Sequence, residues 1–203
     1  LKKIKAGVTE RQVSSELEYQ MRKLGADGLA FTTIVAFGAN TSKPHAHAGD
    51  TVLREGMPVT IDFGCKYKGY CSDITRTFAF GDPGADFRKI YDAVLNANMR
   101  GISAVKAGVK GCDVDNASRD YLKSEGLAEY FLHGTGHGVG VEIHEAPVVN
   151  PKGDTVLKKN MIITVEPGVY MEGLYGVRVE DLILVENDGC SVISRTDKKL
   201  LIL

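Results

Sequence analysis

The sequence predicts an α+β fold of two pseudo-symmetric halves, each setting an antiparallel sheet against outer helices. Three observations carry that expectation. The chain contains an internal repeat. Helical stripes give way to short β-branched runs in each half. One such run in each half holds a single acid at the same position.

The repeat comes first, because it frames the rest. Lys5-Ala6-Gly7-Val8 recurs as Lys106-Ala107-Gly108-Val109, and Val13 and Gly25 then match Val114 and Gly126, all at a spacing of 101. Leu53 to Gly64 resembles Leu157 to Gly168 at a spacing of 104. A unit of about one hundred residues is too long for a solenoid and implies one pseudo-symmetric domain. That domain occupies 1–203, with halves of about 1–83 and 84–203, and residues 5–64 should superpose on 106–168.

Thr9 with Gln12 makes a capping box, and Val13, Leu17, Met21 and Leu24 follow at helical spacing up to Gly25. In the second half Asp113 with Asn116 offers a start, with Val114, Ala117 and Tyr121 as the stripe. Before it a longer helix is expected over 84–106, on Phe87, Ile90, Tyr91, Val94, Asn98, Ile102 and Val105. The first half keeps only Leu1 to Lys5 in that place and opens on Leu. The expectation is an N-terminally truncated chain lacking at least ~20 residues of helix upstream.

Val59 to Phe63 and Ile162 to Glu166 read as strands. Hairpins are expected at Lys66-Tyr67-Lys68-Gly69, returning over 73–78, and at 172–176, returning over 177–185. Period-two alternation puts Thr60 with Asp62, Thr164 with Glu166, and Arg178 with Glu180 on shared faces.

Asp62 and Glu166 are each the one acid of an apolar strand, and Asp73 and Glu180 lie on the returning strands at places expected to correspond. Buried carboxylates are costly unless paired or bound to metal. Four that converge cannot all ionise without cations between them. Two divalent ions would resolve the conflict. A further ligand is expected from the run His133-Gly134-Thr135-Gly136-His137-Gly138-Val139-Gly140-Val141-Glu142-Ile143-His144-Glu145, whose glycines free the backbone around His137. This is not the His-Glu-x-x-His zinc helix, nor a dinucleotide loop, since no strand leads in and no helix pattern follows.

Composition excludes other classes. Lys and Arg total 25 against 26 Asp and Glu, a balance that argues against nucleic-acid binding through phosphates. No apolar stretch is long enough to span a membrane, and no signal-peptide pattern is present. Cys65, Cys71, Cys112 and Cys190 match no metal or redox spacing, so a reducing, cytoplasmic setting is expected.

The motifs Ile61-Asp62-Phe63-Gly64, Ser72-Asp73-Ile74-Thr75-Arg76-Thr77, His133 to Gly140, His144-Glu145-Ala146-Pro147, Val165-Glu166-Pro167-Gly168 and Val177-Arg178-Val179-Glu180-Asp181 together resemble the pita-bread metallopeptidases. That group holds methionine aminopeptidase, Xaa-Pro aminopeptidase and Xaa-Pro dipeptidase, and the resemblance runs from about Ala6 to Leu203. It implies the pita-bread (creatinase/aminopeptidase) fold and metal ligands at Asp62, Asp73, His137, Glu166 and Glu180. Asp73 and Glu180 match the bridging acids, Asp62 serves one ion, and His137 and Glu166 serve the other. Glu166 also matches the general base, and His133 and His144 match substrate-contacting histidines. Pro44-His45 fits a pair found in the Xaa-Pro branch, as does Arg178, expected to hold a substrate carboxylate or brace Glu180. Arg76 is expected to pair structurally with a carboxylate, and His47 to be incidental.

Methionine aminopeptidases usually lack both the Pro-His pair and the Gly-Val-Arg-Val-Glu-Asp form, so the resemblance favours the Xaa-Pro branch. Metal-free relatives, binding modules or creatinase, require the acids or His137 to be replaced, and none is. The implied activity is metal-assisted hydrolysis before proline in a peptide substrate. The ions implied are two divalent metals, manganese first and cobalt or zinc as alternatives. A separate N-terminal domain and a homodimer are implied for the full-length form.

Overall fold

The computed structural model describes residues 3–203. Leu1, on which the truncation argument began, lies outside the described residues.

Helix α1 spans Glu10–Lys23 with the expected capping box: Thr9 Oγ1 accepts from the Gln12 amide at 3.2 Å, and Gln12 Oε1 from the Thr9 amide at 3.0 Å. Two otherwise orphaned donors are closed, and that sets where the helix begins. Val13 and Met21 are buried, but Leu24 is 83% exposed. Leu24 is the C-cap, already leaving the helix, so the buried stripe ends earlier than its spacing suggested. Strands β1 (Gly28–Leu29) and β2 (Ile34–Phe37) follow, then a 3-10 turn over Gly38–Ser42. The first hairpin has β3 (Met57–Phe63) and β6 (Ile74–Phe80) as arms, with β4 (Cys65–Tyr67) and β5 (Tyr70–Cys71) at its tip. The sheet order is β2-β3-β6, with a small β1-β4-β5 sheet beside it.

The long helix is α2, Ala85–Ala104, and α3 spans Gly111–Ser124. The start expected at Asp113 comes earlier. Lys110 is the N-cap, and Asp113 sits inside the first turn, its Oδ2 accepting from the Lys110 amide at 3.2 Å. The acid therefore closes the turn rather than opening it. Strands β7 (Gly136–Gly138), β8 (Glu145–Val149), β9 (Ile162–Val165), β12 (Asp181–Val185) and β13 (Cys190–Val192) form a sheet of order β13-β12-β9-β7-β8. Between them, β10 (Gly168–Met171) and β11 (Tyr175–Arg178) pair as a hairpin whose turn is tighter than expected, since Tyr175 and Gly176 already sit in the ladder.

The duplication is visible bond by bond. The Gly7 amide donates to Leu53 O at 3.0 Å and the Gly108 amide to Leu157 O at 2.9 Å. Leu53 N reaches Val8 O, and Leu157 N reaches Val109 O, both at 2.8 Å. Gly7 and Gly108 share a φ of +89°. Helices α1 and α3 both have 14 residues.

The halves differ at their hairpins. The pair Asp62↔Thr75 puts Asp73 opposite Gly64 one step past Phe63↔Ile74. The pair Val165↔Asp181 puts Glu180 opposite Glu166 on the next step. By register the counterpart of Glu180 is Thr75, and that of Asp73 is Arg178. The expected correspondence of Asp73 with Glu180 does not hold. The first turn has two residues, Lys68 and Gly69, and the second has three, so the returning strands are offset differently. Because side chains on one face recur every second residue, all four acids still share a side.

Each half keeps its own apolar core. The first holds Val13, Val35, Phe37, Leu53, Val59 and Phe78. The second includes Val114, Leu157, Ile163, Val165 and Ile183, with another cluster under α2 around Phe87, Tyr91 and Leu122. The contacts across the seam are largely polar. Thr77 Oγ1 donates to Arg178 O at 2.9 Å, and Thr75 Oγ1 to Glu180 Oε2 at 2.7 Å.

Candidate metal centre

At that seam lies a cavity of about 400 Å³, lined by all five histidines of the chain and by Asp62, Asp73, Glu166 and Glu180. His47, expected to be incidental, stands on its wall beside His45. Asp62 is the last residue but one of β3, Asp73 precedes β6, Glu166 follows β9, and Glu180 precedes β12. Both halves thus deliver acids from strand ends, where backbone pairing holds the Cα positions but leaves the side chains free to converge.

His137 arrives on β7, where a register shift between His137 and Gly138 re-aims the chain. The glycines around it serve space rather than unusual dihedrals, since none of Gly134, Gly136, Gly138 and Gly140 has a positive φ. A Cβ at Gly136 would strike the Thr164 carbonyl, and one at Gly138 the Ala146 carbonyl. Side chains there would push β7 off its neighbours and carry His137 with it.

Ligand atoms of Asp73, His137 and Glu180 all lie within 4.8 Å of one another. His137 Nδ1 sits 3.0 Å from Gly138 O, which turns Nε2 into the cluster, 3.3 Å from Glu166 Oε1 and 3.6 Å from Asp73 Oδ2. Asp62 Oδ2 is held by Arg178 at 2.6 Å, while among the described residues its buried Oδ1 has no partner. A buried, unpartnered carboxylate oxygen beside three more acids and one imidazole is a donor set that fits hard divalent cations.

The electrostatics point the same way. Burial raises Asp73 to about 8, helped by the charges of Asp62 and Glu166. Burial also lifts Glu180 well above the carboxylate range, with Asp73 adding to it. Asp62 is raised by burial despite Arg178. Burial pushes Glu166 up too, but the His137 hydrogen bond and the charges of His133, His137 and Arg178 win and hold it at about 2. One acid is therefore kept ionised while Asp73 and Glu180 favour protons that a cation would displace.

The supports are buried. Arg178 donates to Asp62, to Tyr170 Oη at 2.7 Å, to Pro44 O at 3.0 Å and to Thr75 Oγ1 at 3.1 Å. Four of its five donors are committed. It braces Asp62 directly and reaches Glu180 through Thr75, whose hydroxyl donates to Glu180 Oε2. Tyr170 Oη lies 2.8 Å from His133 Nε2, and the His133 Nδ1 lies 2.7 Å from Gly134 O. His133 is thus tied down at both nitrogens. His144 is exposed, with its ring edge-on to His137 at 4.3 Å. Arg76 pairs with a carboxylate as expected: its Nη2 meets Asp181 Oδ1 at 2.7 Å, and its Nη1 donates to Glu180 O.

Sequence reasoning passed over several residues. Asp115, fully buried, accepts from the Thr135 amide and hydroxyl at 2.9 and 2.8 Å and pairs with Arg119, which donates to His133 O at 2.7 Å. The pair fixes the segment that carries His133 and His137. At i and i+4 on a helix, it reads in sequence as a surface ion pair. Tyr170 carried no signal beyond its place on a strand.

A duplicated α+β domain that gathers acids and an imidazole at its seam is the architecture of a pita-bread metallopeptidase. The chain matches metallopeptidase family M24 over residues 1–187 and belongs to that family. It is 42% identical over 201 residues to the Xaa-Pro dipeptidase of Pyrococcus furiosus, covering 99% of this chain and 58% of that protein. The fold superposes on Xaa-Pro dipeptidase from Bacillus anthracis with a TM-score of 0.97 at 50% identity, covering 98% of this chain and 56% of that one. It superposes on X-Pro aminopeptidase from Thermotoga maritima with a TM-score of 0.96 at 39% identity, covering 100% and 57%. The chain therefore spans little more than half the length of these relatives. Among the described residues, no helix is long and apolar enough to cross a membrane.

Proposed function

We propose that this chain is the catalytic domain of a dinuclear-metal peptidase that cleaves the bond before proline, as an Xaa-Pro dipeptidase or Xaa-Pro aminopeptidase. One observation carries the choice of branch. The two features that set the sequence apart from methionine aminopeptidases are bonded to each other: Arg178 donates to the carbonyl of Pro44, next to His45. Relatives named for both Xaa-Pro activities share the fold, which supports the branch rather than either member.

We assign Asp62 to one ion, His137 and Glu166 to the other, and Asp73 and Glu180 between them. When bound, two divalent ions lower the pKa of water and polarise the carbonyl that precedes proline. Glu166, held ionised, takes up a proton and returns it to the leaving imino nitrogen. His45 and His144, on the cavity wall, donate hydrogen bonds to the developing oxyanion. His133, fixed by Tyr170, positions the peptide. Arg178 holds Asp62 in place and keeps one Nη2 proton for a substrate carboxylate. The carboxylate-rich donor set favours Mn²⁺, with Co²⁺ or Zn²⁺ as alternatives. The reading places the enzyme in the cytoplasm, as a homodimer in its full-length form.

The test is hydrolysis of Ala-Pro, Ala-Pro-Ala and Met-Ala-Ser by the full-length protein loaded with Mn²⁺, beside a count of bound metal. Release of alanine from a proline-containing peptide with the methionyl peptide intact is the expected result. Cleavage of Met-Ala-Ser alone would move the chain to the methionine aminopeptidase branch.

A further inference from the structure

His45 and His47 sit on a loop between the 3-10 turn and β3, and both are exposed while Ala46 between them is buried against Ile34 and Ala36. Such a loop has little of its own to hold it. Among the described residues, the amides of His45, Ala46, His47 and Ala48 make no hydrogen bond. Its two ends are pinned instead. At Pro44 the pin is Arg178, bonded to the Pro44 carbonyl. At Gly49 the pin is Glu10.

Glu10 is the first residue of α1 and is fully buried, and it does not line the cavity. A buried carboxylate needs partners, and this one has three. Its Oε1 accepts from the Phe37 amide at 2.8 Å and from Asn40 Nδ2 at 2.9 Å. Its Oε2 accepts from the Gly49 amide at 2.9 Å. One side chain therefore joins the end of β2, the 3-10 turn and the far end of the histidine loop. The Arg11 amide adds a bond to Gly49 O at 3.0 Å, so helix and loop meet at the same residue from both sides.

We propose that Glu10 is a positioning residue, which acts through the loop to hold His45 and His47 on the cavity wall. It touches no ligand and no reacting atom. All three of its partners are donors, which a carboxylate satisfies and a carboxamide cannot. Glu10→Gln turns one acceptor into an NH₂ group facing N–H, and the loop end is left with only the backbone bonds from the Arg11 amide to Gly49 O and from the Glu10 amide to Thr51 O. The inference rests on the role proposed for His45, and its test separates the two.

The experiment is a double-mutant cycle of Glu10→Gln with His45→Ala in the full-length, Mn²⁺-loaded protein, read as kcat and KM on Ala-Pro beside bound metal. Glu10→Gln is expected to lower kcat by roughly tenfold to 10²-fold, as a small misplacement does, with metal content unchanged. In the His45→Ala background it should add almost nothing. Effects that multiply would show that Glu10 acts elsewhere, and an unchanged kcat in Glu10→Gln overturns the proposal. If His45→Ala itself has no effect, the reading of His45 fails and the proposal falls with it. Amide exchange in the unaltered protein gives an independent arm. Gly49 should exchange slowly while Ala48 exchanges fast, and only the 43–51 segment should speed up in Glu10→Gln. Fast exchange at Gly49 in the unaltered protein also overturns the proposal.

Discussion

Arg178→Met tests how the centre is held together. The Arg178 and Asp62 side chains are only 5% and 12% exposed, so water can do little to screen their pair. Met keeps most of the aliphatic volume but leaves Asp62 buried without its cation. Removing one partner of a buried pair costs about 3–5 kcal/mol. For a domain of this size that corresponds to a fall in Tm of roughly 6–20 °C. Asp62 is already raised by burial, and without Arg178 it rises further. A raised carboxylate penalises the folded state above its unfolded pKa and is relieved as pH falls and the proton binds. The loss should therefore be larger at pH 8 than at pH 5. Asp62→Asn in the same chain removes the stranded charge and should recover part of it. The assay is urea unfolding with chelator present, since a bound cation would itself partner Asp62. An Arg178→Met chain within about 1 kcal/mol of its parent, or a double variant no more stable than the single one, would refute the reasoning.

His45→Ala should lower kcat on Ala-Pro by roughly 10²-fold, as loss of an oxyanion donor does, while isothermal titration shows metal affinity nearly intact. Asp73 at about 8 and Glu180 well above its range bind protons in the folded state that the unfolded chain does not hold. The metal-free protein should therefore lose stability as pH rises from about 4 to 8, and added Mn²⁺ should reverse the trend by displacing those protons. Melting curves at pH 5 and pH 8, with and without metal, check this, and a metal-free chain more stable at pH 8 would contradict it. Leu53 and Leu157, both 1% exposed at matching places in the repeat, should each cost about 2–5 kcal/mol when cut to Ala. Chemical denaturation that finds one costly and the other neutral would break their equivalence.

Much of this was legible because the signals were local or repeated. The Thr9–Gln12 box reports its own geometry within four residues, and the repeat tells the same story twice. The acids of β3 and β9 stood out because an acid in an apolar strand has few bland uses. The failures share a cause: each turned on a contact the sequence does not encode nearby. Asp73 and Glu180 match by motif, yet Thr75 lies five residues beyond Tyr70 and Glu180 five beyond Tyr175, so the ladder makes Thr75 the counterpart of Glu180 and leaves Asp73 two residues nearer its turn. Leu24 has the right spacing but sits where the chain turns away. Glu10 reads as an acid favoured in the first turn of a helix. Its partners lie 27 to 39 residues away. Asp115 and Arg119 look like ordinary surface charges until His133 O and Thr135 are placed above them.

The separate apolar cores of the two halves have a bearing on how the molecule comes apart. Little oil joins the halves, and the side chains that meet between them are hydroxyls, carboxylates and two guanidiniums. Asp62 and Asp73 belong to one half, and His137, Glu166 and Glu180 to the other. Any cation gripped by that set works as a rivet through the joint. Its grip adds to the cooperativity of the whole, because it binds the folded joint and not the unfolded chain. A cation at that joint would then slow proteolysis as well as unfolding, since a closed joint keeps the strand ends that carry the acids away from a protease.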